Sequence, residues 1–127
     1  MAATGITPPR PDATVTLRDL RFTGAATLPR DGTVRVRNSG WAPHHAQALR
    51  LRPGASNAAF RRALLGSSEA AFNRVVDFRN SIELSSILTR GSVTDQDVRF
   101  PRQGRYALVC FIENHQAQGM YRVVNVR

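Results

Sequence analysis

Every histidine of this chain, its single cysteine and its one methionine other than Met1 fall into two short stretches. The first is Pro43-His44-His45; the second runs Cys110-Phe111-Ile112-Glu113-Asn114-His115-Gln116-Ala117-Gln118-Gly119-Met120. Each residue type alone has an ordinary structural use. A free cysteine packs as a small hydrophobe, and methionine fills gaps in cores. Gathered at these spacings, two imidazoles, a thiolate and a thioether make the donor set of a mononuclear blue copper site. Thiolate and imidazole hold both oxidation states of the metal, and a weak, distant thioether tunes the potential.

Such a site needs rigid elements to hold its ligands. Arg105–Ile112 and Met120–Val126 are rich in β-branched and aromatic residues and read as strands. On the first, Tyr106, Leu108 and Cys110 share one face, so the thiol points inward at the strand's end. A short loop then carries His115 and Met120 round before the last strand. The remaining imidazole comes from a separate hairpin at the same end. There the residues by themselves leave a choice between His44 and His45, and parity with Leu49 and Leu51 turns His45 inward. Trp41, just upstream, reads as a packing residue at the rim of the site.

Other short alternating segments complete the strands. Ala13–Phe22 reads as one strand with a bulge near Asp19, and Gly32–Asn38 places Val34 and Val36 on one face. Asn38-Ser39-Gly40 is a turn, and Val93–Phe100 is a further strand. Residues 56–80 differ. Ser56 caps a helical pattern that Gly66 ends, and Ser67-Ser68-Glu69 opens a second pattern carrying Phe72, Val75, Val76 and Phe78. These patterns predict an all-β Greek-key β-sandwich with a helical insertion around residues 56–80, packed inward on a sheet edge far from the metal loop. Residues 1–12 form a flexible lead-in without the apolar core of an export signal, and 13–127 form one domain.

Composition narrows the function. No apolar stretch approaches the length that crosses a bilayer. The net charge of +9 comes wholly from arginine, for the chain has no lysine. These arginines are spread along the chain without the dense basic stripe and interleaved aromatics of a nucleic-acid binder, so the expectation is a cationic surface and no nucleic-acid partner. One cysteine excludes an intrachain disulfide. Three histidines also cannot build a second copper centre beside the first, which argues against a multicopper enzyme.

Gly104-Arg105-Tyr106-Ala107-Leu108-Val109-Cys110 resembles the Gly-x-Tyr-x-x-x-Cys approach to the copper cysteine in plastocyanin-like proteins. His115-Gln116-Ala117-Gln118-Gly119-Met120 resembles their His-x-x-x-Gly-Met ending, and the full Cys-x4-His-x4-Met spacing is similar to the rusticyanin and sulfocyanin branch. Asn38-Ser39-Gly40-Trp41-Ala42-Pro43-His44 resembles the Asn-x-Gly-x-Pro-His stretch that supplies the first histidine. The resemblance to the cupredoxin, or type 1 blue copper, family therefore implies His44, Cys110, His115 and Met120 as ligands of one copper per chain. It further implies one-electron transfer with a redox partner protein, which the excess arginine suggests is acidic, and export to the periplasm, cell surface or medium. Two departures stand out. Glu113-Asn114 replaces the usual Pro-Gly before the histidine, and a carboxylate facing the metal would favour its oxidised form. His45 occupies the position where the family often has a small or amide residue bridging the two ligand loops, which puts that bridge in question. The rival functions are a cell-envelope copper carrier or scavenger, and a metal-free interaction module of the same fold.

Overall fold

The computed structural model describes residues 10–127, so the expected lead-in lies outside the described residues as far as residue 9. The Asp12 N–H donates to the Thr33 carbonyl at 2.8 Å, and the Thr33 N–H donates to the Asp12 carboxylate at 2.8 Å.

Among the described residues, nine strands make two sheets. β1 (Ala13–Arg18), β2 (Arg21–Gly24), β4 (Asp31–Asn38) and β7 (Val93–Arg99) form the first, in the order β2-β1-β4-β7. The second holds β3 (Thr27–Leu28), β5 (His44–Leu51), β6 (Val76–Leu88), β8 (Gly104–Val109) and β9 (Tyr121–Val126), in the order β3-β9-β8-β5-β6. The fold is the expected Greek-key β-sandwich. The stretch expected as one bulged strand is instead two: β1 and β2 pair antiparallel through Arg18 and Arg21 around the turn Asp19-Leu20. Leu20 takes a left-handed φ of 62°, which reverses the chain where a bulge would only have bent it.

Alternation explains the core between the sheets. Val15 and Leu17, Val34 and Val36, and Tyr106, Leu108 and Cys110 all point into it and are fully buried. A second core lies on the outer face of the second sheet. Leu49, Leu51, Ala107 and Val109 meet α1 (Asn57–Leu65) there through the buried Phe60 and Leu64, and α2 (Glu69–Val75) through the partly buried Phe72 and Val75. The central strand β8 is thus buried on both faces, the physical reason for its unbroken run Tyr106-Ala107-Leu108-Val109-Cys110.

The two helices begin as their sequence predicts. The Ser56 hydroxyl accepts from the Ala59 N–H, and the Ser68 hydroxyl accepts from the Ala71 N–H. The second ends earlier than residue 80, because Val76 opens β6 and pairs with Leu51. Of the three insertion phenylalanines, Phe60 is buried, while Phe72 is half-buried and stacks on the exposed Phe78 at a centroid distance of 5.5 Å. The insertion is not remote from the metal loop. Arg61 and Leu65 of α1 line one groove with Ala117, Gln118 and Gly119.

Candidate metal centre

The first histidine stands on a braced loop. Between β4 and β5 the chain turns through Ser39-Gly40-Trp41-Ala42-Pro43, with the buried Asn38 at its start. The Asn38 side-chain amide donates to the carbonyls of Ala42 and Leu88 at 2.9 and 2.8 Å, and its oxygen accepts from the Gly40 N–H at 2.9 Å. Three partners on one buried amide fix the loop against the sandwich. Gly40 has a separate reason: a Cβ there would stand 2.6 Å from Asp19 Oδ1 and 3.0 Å from His44 Nε2. Only glycine leaves that space open.

His44 is fully buried, while His45 is half-buried. In β5, Ala46 and Ala48 join the core between the sheets, whereas Leu49 and Leu51 join the helix-covered one. His45 does share parity with Leu49 and Leu51, but their face looks away from Cys110. The His45 Nε2 accepts the Phe111 N–H at 2.9 Å. Burial holds the His45 imidazole below its ordinary pKa, with His115 adding to the shift and Glu83 opposing it, so this nitrogen keeps a free lone pair. The bridge between the two ligand loops is therefore made, by an imidazole in place of an amide.

β8 delivers Cys110, fully buried, at its end. The chain then runs through a 3-10 helical stretch, Ile112–Gln118, kinked where Glu113 and Asn114 take left-handed φ values of 48° and 65°. Two successive non-glycine residues in this region carry strain that the surrounding bonds must hold. The Met120 N–H donates to the His115 carbonyl at 3.1 Å, and the Cys110 N–H donates to the Met120 carbonyl at 3.2 Å. These bonds close the loop and bring His115, 7% exposed, and the fully buried Met120 back to the cysteine. Glu113 is exposed, so water screens its charge from the buried cluster.

His44 Nδ1 lies 3.8 Å and His115 Nδ1 3.5 Å from Cys110 Sγ, and the ligand atoms of the three residues all lie within 4.8 Å of one another. Metal–sulfur and metal–nitrogen bonds of about 2.3 and 2.0 Å, opened by trigonal to tetrahedral angles, separate sulfur from nitrogen by about 3.5–3.7 Å. The two sulfur–nitrogen spacings thus suit a metal held between them, and the donor set is the soft thiolate and imidazole mixture that copper takes. Met120 is buried in the same core as Cys110, with its main chain bonded to both Cys110 and His115.

One participant has no signal in its local sequence. His44 Nε2 lies 2.9 Å from Asp19 Oδ1, although the residues are 25 positions apart. The N–H groups of Trp41 and Ala42 donate to the same carboxylate at 3.0 and 3.1 Å. Donation from Trp41 first, then from His44 and Ala42, lowers the Asp19 pKa to about 2. Trp41 itself is 74% exposed, with the Arg90 guanidinium 3.4 Å over its ring, so the expected packing role at the rim is not what the indole does.

No protein-family model matches the sequence, and no curated protein matches it significantly. Solved structures match its fold. The dithionite-reduced auracyanin of Roseiflexus castenholzii aligns over 90% of this chain and 94% of its own, at 18% identity and a TM-score of 0.55. Auracyanin B aligns over 98% and 95% at 22% identity and 0.52. An azurin of Methylomonas sp. strain J aligns over 90% and 95% at 17% identity and 0.50.

Proposed function

From the premise that this chain has the cupredoxin fold, we propose that it is an electron carrier holding one copper ion between His44, Cys110 and His115, with Met120 as a weak further donor. The observation that carries the reading is the buried meeting of two Nδ1 atoms and one thiol at metal-polyhedron spacings. Bound copper supplies a one-electron couple between Cu(I) and Cu(II).

The chain's own residues supply the rest. His44, Cys110 and Met120 are fully buried, so water is kept from their donor atoms. Cys110 directly follows the central strand β8, His44 begins β5, and the two loops are tied through His45 and Phe111, so the donors have little freedom to rearrange. His115 alone of the four reaches the surface, which makes its ring edge the exit for an electron. On the same loop, the half-buried Phe111 and Ile112 and the exposed Ala117 are the apolar residues that this reading assigns to the partner's approach. The partner is a redox protein with an acidic face, and the carrier acts outside the cytoplasm. No helix among the described residues is long and apolar enough to cross a membrane. A single mononuclear site suits a carrier rather than an enzyme.

Copper loading followed by oxidation tests this. The protein is expected to bind one copper per chain and turn blue or green through thiolate-to-copper charge transfer, and Cys110→Ala to remain folded and colourless. Fast, reversible reduction separates a carrier of electrons from a carrier of copper, which would hand the metal over readily and cycle slowly. A wild-type protein that stays colourless and copper-free sinks the reading.

A further inference from the structure

Resting on the copper reading, we infer that Asp19 is a positioning residue of the metal site: its carboxylate holds His44 in the tautomer that leaves Nδ1 free to bind the metal. An ionised carboxylate only accepts hydrogen bonds. The 2.9 Å contact between Asp19 Oδ1 and His44 Nε2 therefore places the ring proton on Nε2. A neutral imidazole carries one ring proton, so Nδ1 is left with its lone pair, 3.8 Å from Cys110 Sγ. Without an acceptor at Nε2, the proton would gain by moving to Nδ1 and donating to the thiol sulfur, occupying the atom the metal needs. A histidine that binds metal through one nitrogen commonly gives its other N–H to such a partner, which fixes the ring and raises its basicity.

The carboxylate is itself held in place. The Trp41 N–H donates to Oδ2 at 3.0 Å and the Ala42 N–H to Oδ1 at 3.1 Å, so both oxygens are engaged by the loop that carries His44. Asp19 occupies the β1–β2 turn, next to the left-handed Leu20, and Gly40 leaves the gap through which it reaches the ring. Two segments distant in sequence thus meet at one imidazole. The arrangement adds a negative charge behind a ligand, which stabilises the oxidised form of a bound metal relative to the reduced.

Nitrogen-15 NMR of the metal-free protein reads the His44 tautomer directly, and titration with Cu(II) and with Zn(II) reads affinity. Wild type is expected to show the proton on Nε2. Asp19→Ala is expected to shift His44 toward the Nδ1–H tautomer and weaken both metals by about 10- to 100-fold. Asp19→Asn, whose Oδ1 still accepts from Nε2–H, is expected to keep the tautomer, lose less affinity and raise the midpoint potential of the copper-loaded protein. Asp19→Ala and Asp19→Asn that both match wild type in tautomer and affinity overturn the inference. So does an Asp19→Ala that merely melts earlier with the tautomer unchanged, which marks a purely structural turn. A wild type that takes up neither metal sinks the copper reading and the metal half of this inference together, while the tautomer still decides the positioning half. Should Asp19→Ala fail to fold, the tautomer and potential of Asp19→Asn decide.

Discussion

At the scale of single residues, the adjacent imidazoles His44 and His45 divide the work through the parity of a strand buried on both faces. His44 follows Ala46 and Ala48 into the core that holds Cys110, while His45 follows Leu49 and Leu51 toward the helices. His44→Ala is therefore expected to abolish the blue absorption. His45→Ala is expected to retain it with a shifted midpoint potential, and to lose about 1–3 kcal/mol of stability from an unpaired Phe111 N–H. An amide at this position, His45→Asn, offers an acceptor again and should restore part of both. Visible spectra of the copper-loaded variants decide the matter, and a colourless His45→Ala beside a blue His44→Ala would reverse the assignment.

Among the elements, the helical insertion is a third layer of the molecule. Phe60 is fully buried on the outer face of the second sheet, 5.8 Å from the ring of Tyr121 and 6.3 Å from that of Phe72. This second core closes over Ala107 and Val109, whose neighbours in β8 face the metal core. Phe60→Ala is expected to destabilise the metal-free protein by about 3–5 kcal/mol, as removal of a large core aromatic does. Its absorption maximum should persist after copper loading, because none of the four site residues belongs to that core. Thermal melts and one spectrum test both halves. A variant as stable as wild type would make the helices an appendage rather than a layer. Only Phe78 of the three insertion phenylalanines is exposed, so they do not form one contiguous apolar patch.

Across the whole molecule, charge is distributed rather than focused. Among the described residues, ion pairs join Arg35 to Asp95, Arg50 to Asp77 and Arg99 to Asp31; each pair is neutral in sum, so the whole net charge of +9 stands on the other arginines. The helices bordering the ligand loop carry Arg61, Arg62 and Arg74 against the single acidic Glu69. Long-range attraction should therefore speed encounter with an acidic redox partner, an effect that salt screens over about 8 Å at physiological ionic strength. Electron-transfer rates against acidic and basic test proteins are expected to fall and to rise, respectively, as salt increases. A flat response with the acidic protein would mean that shape around His115 selects the partner.

The donor set was legible because most of it is local. Cys110, His115 and Met120 occupy one strand end and one loop, where residue spacing fixes what meets what, and the unbroken apolar run of β8 follows from a strand buried twice. The two caps at Ser56 and Ser68 were legible for the same reason, since a cap and the amide it bonds lie three residues apart. Strand β6 was not. It pairs with β5 through several register shifts at a sheet edge, and its burial follows no clean alternation from which a period could be read. Sequence parity placed His45 on the face of Leu49 and Leu51, but which face holds the thiol depends on how the sheets stack. Asp19 needed the tertiary structure most. Its neighbours in the chain read as one bulged strand rather than the turn that is there, and its hydrogen bond to His44 exists because two loops close over the gap that Gly40 leaves. Local spacing determined which residues could hold a metal; contacts between distant segments decided how each imidazole is oriented to do so.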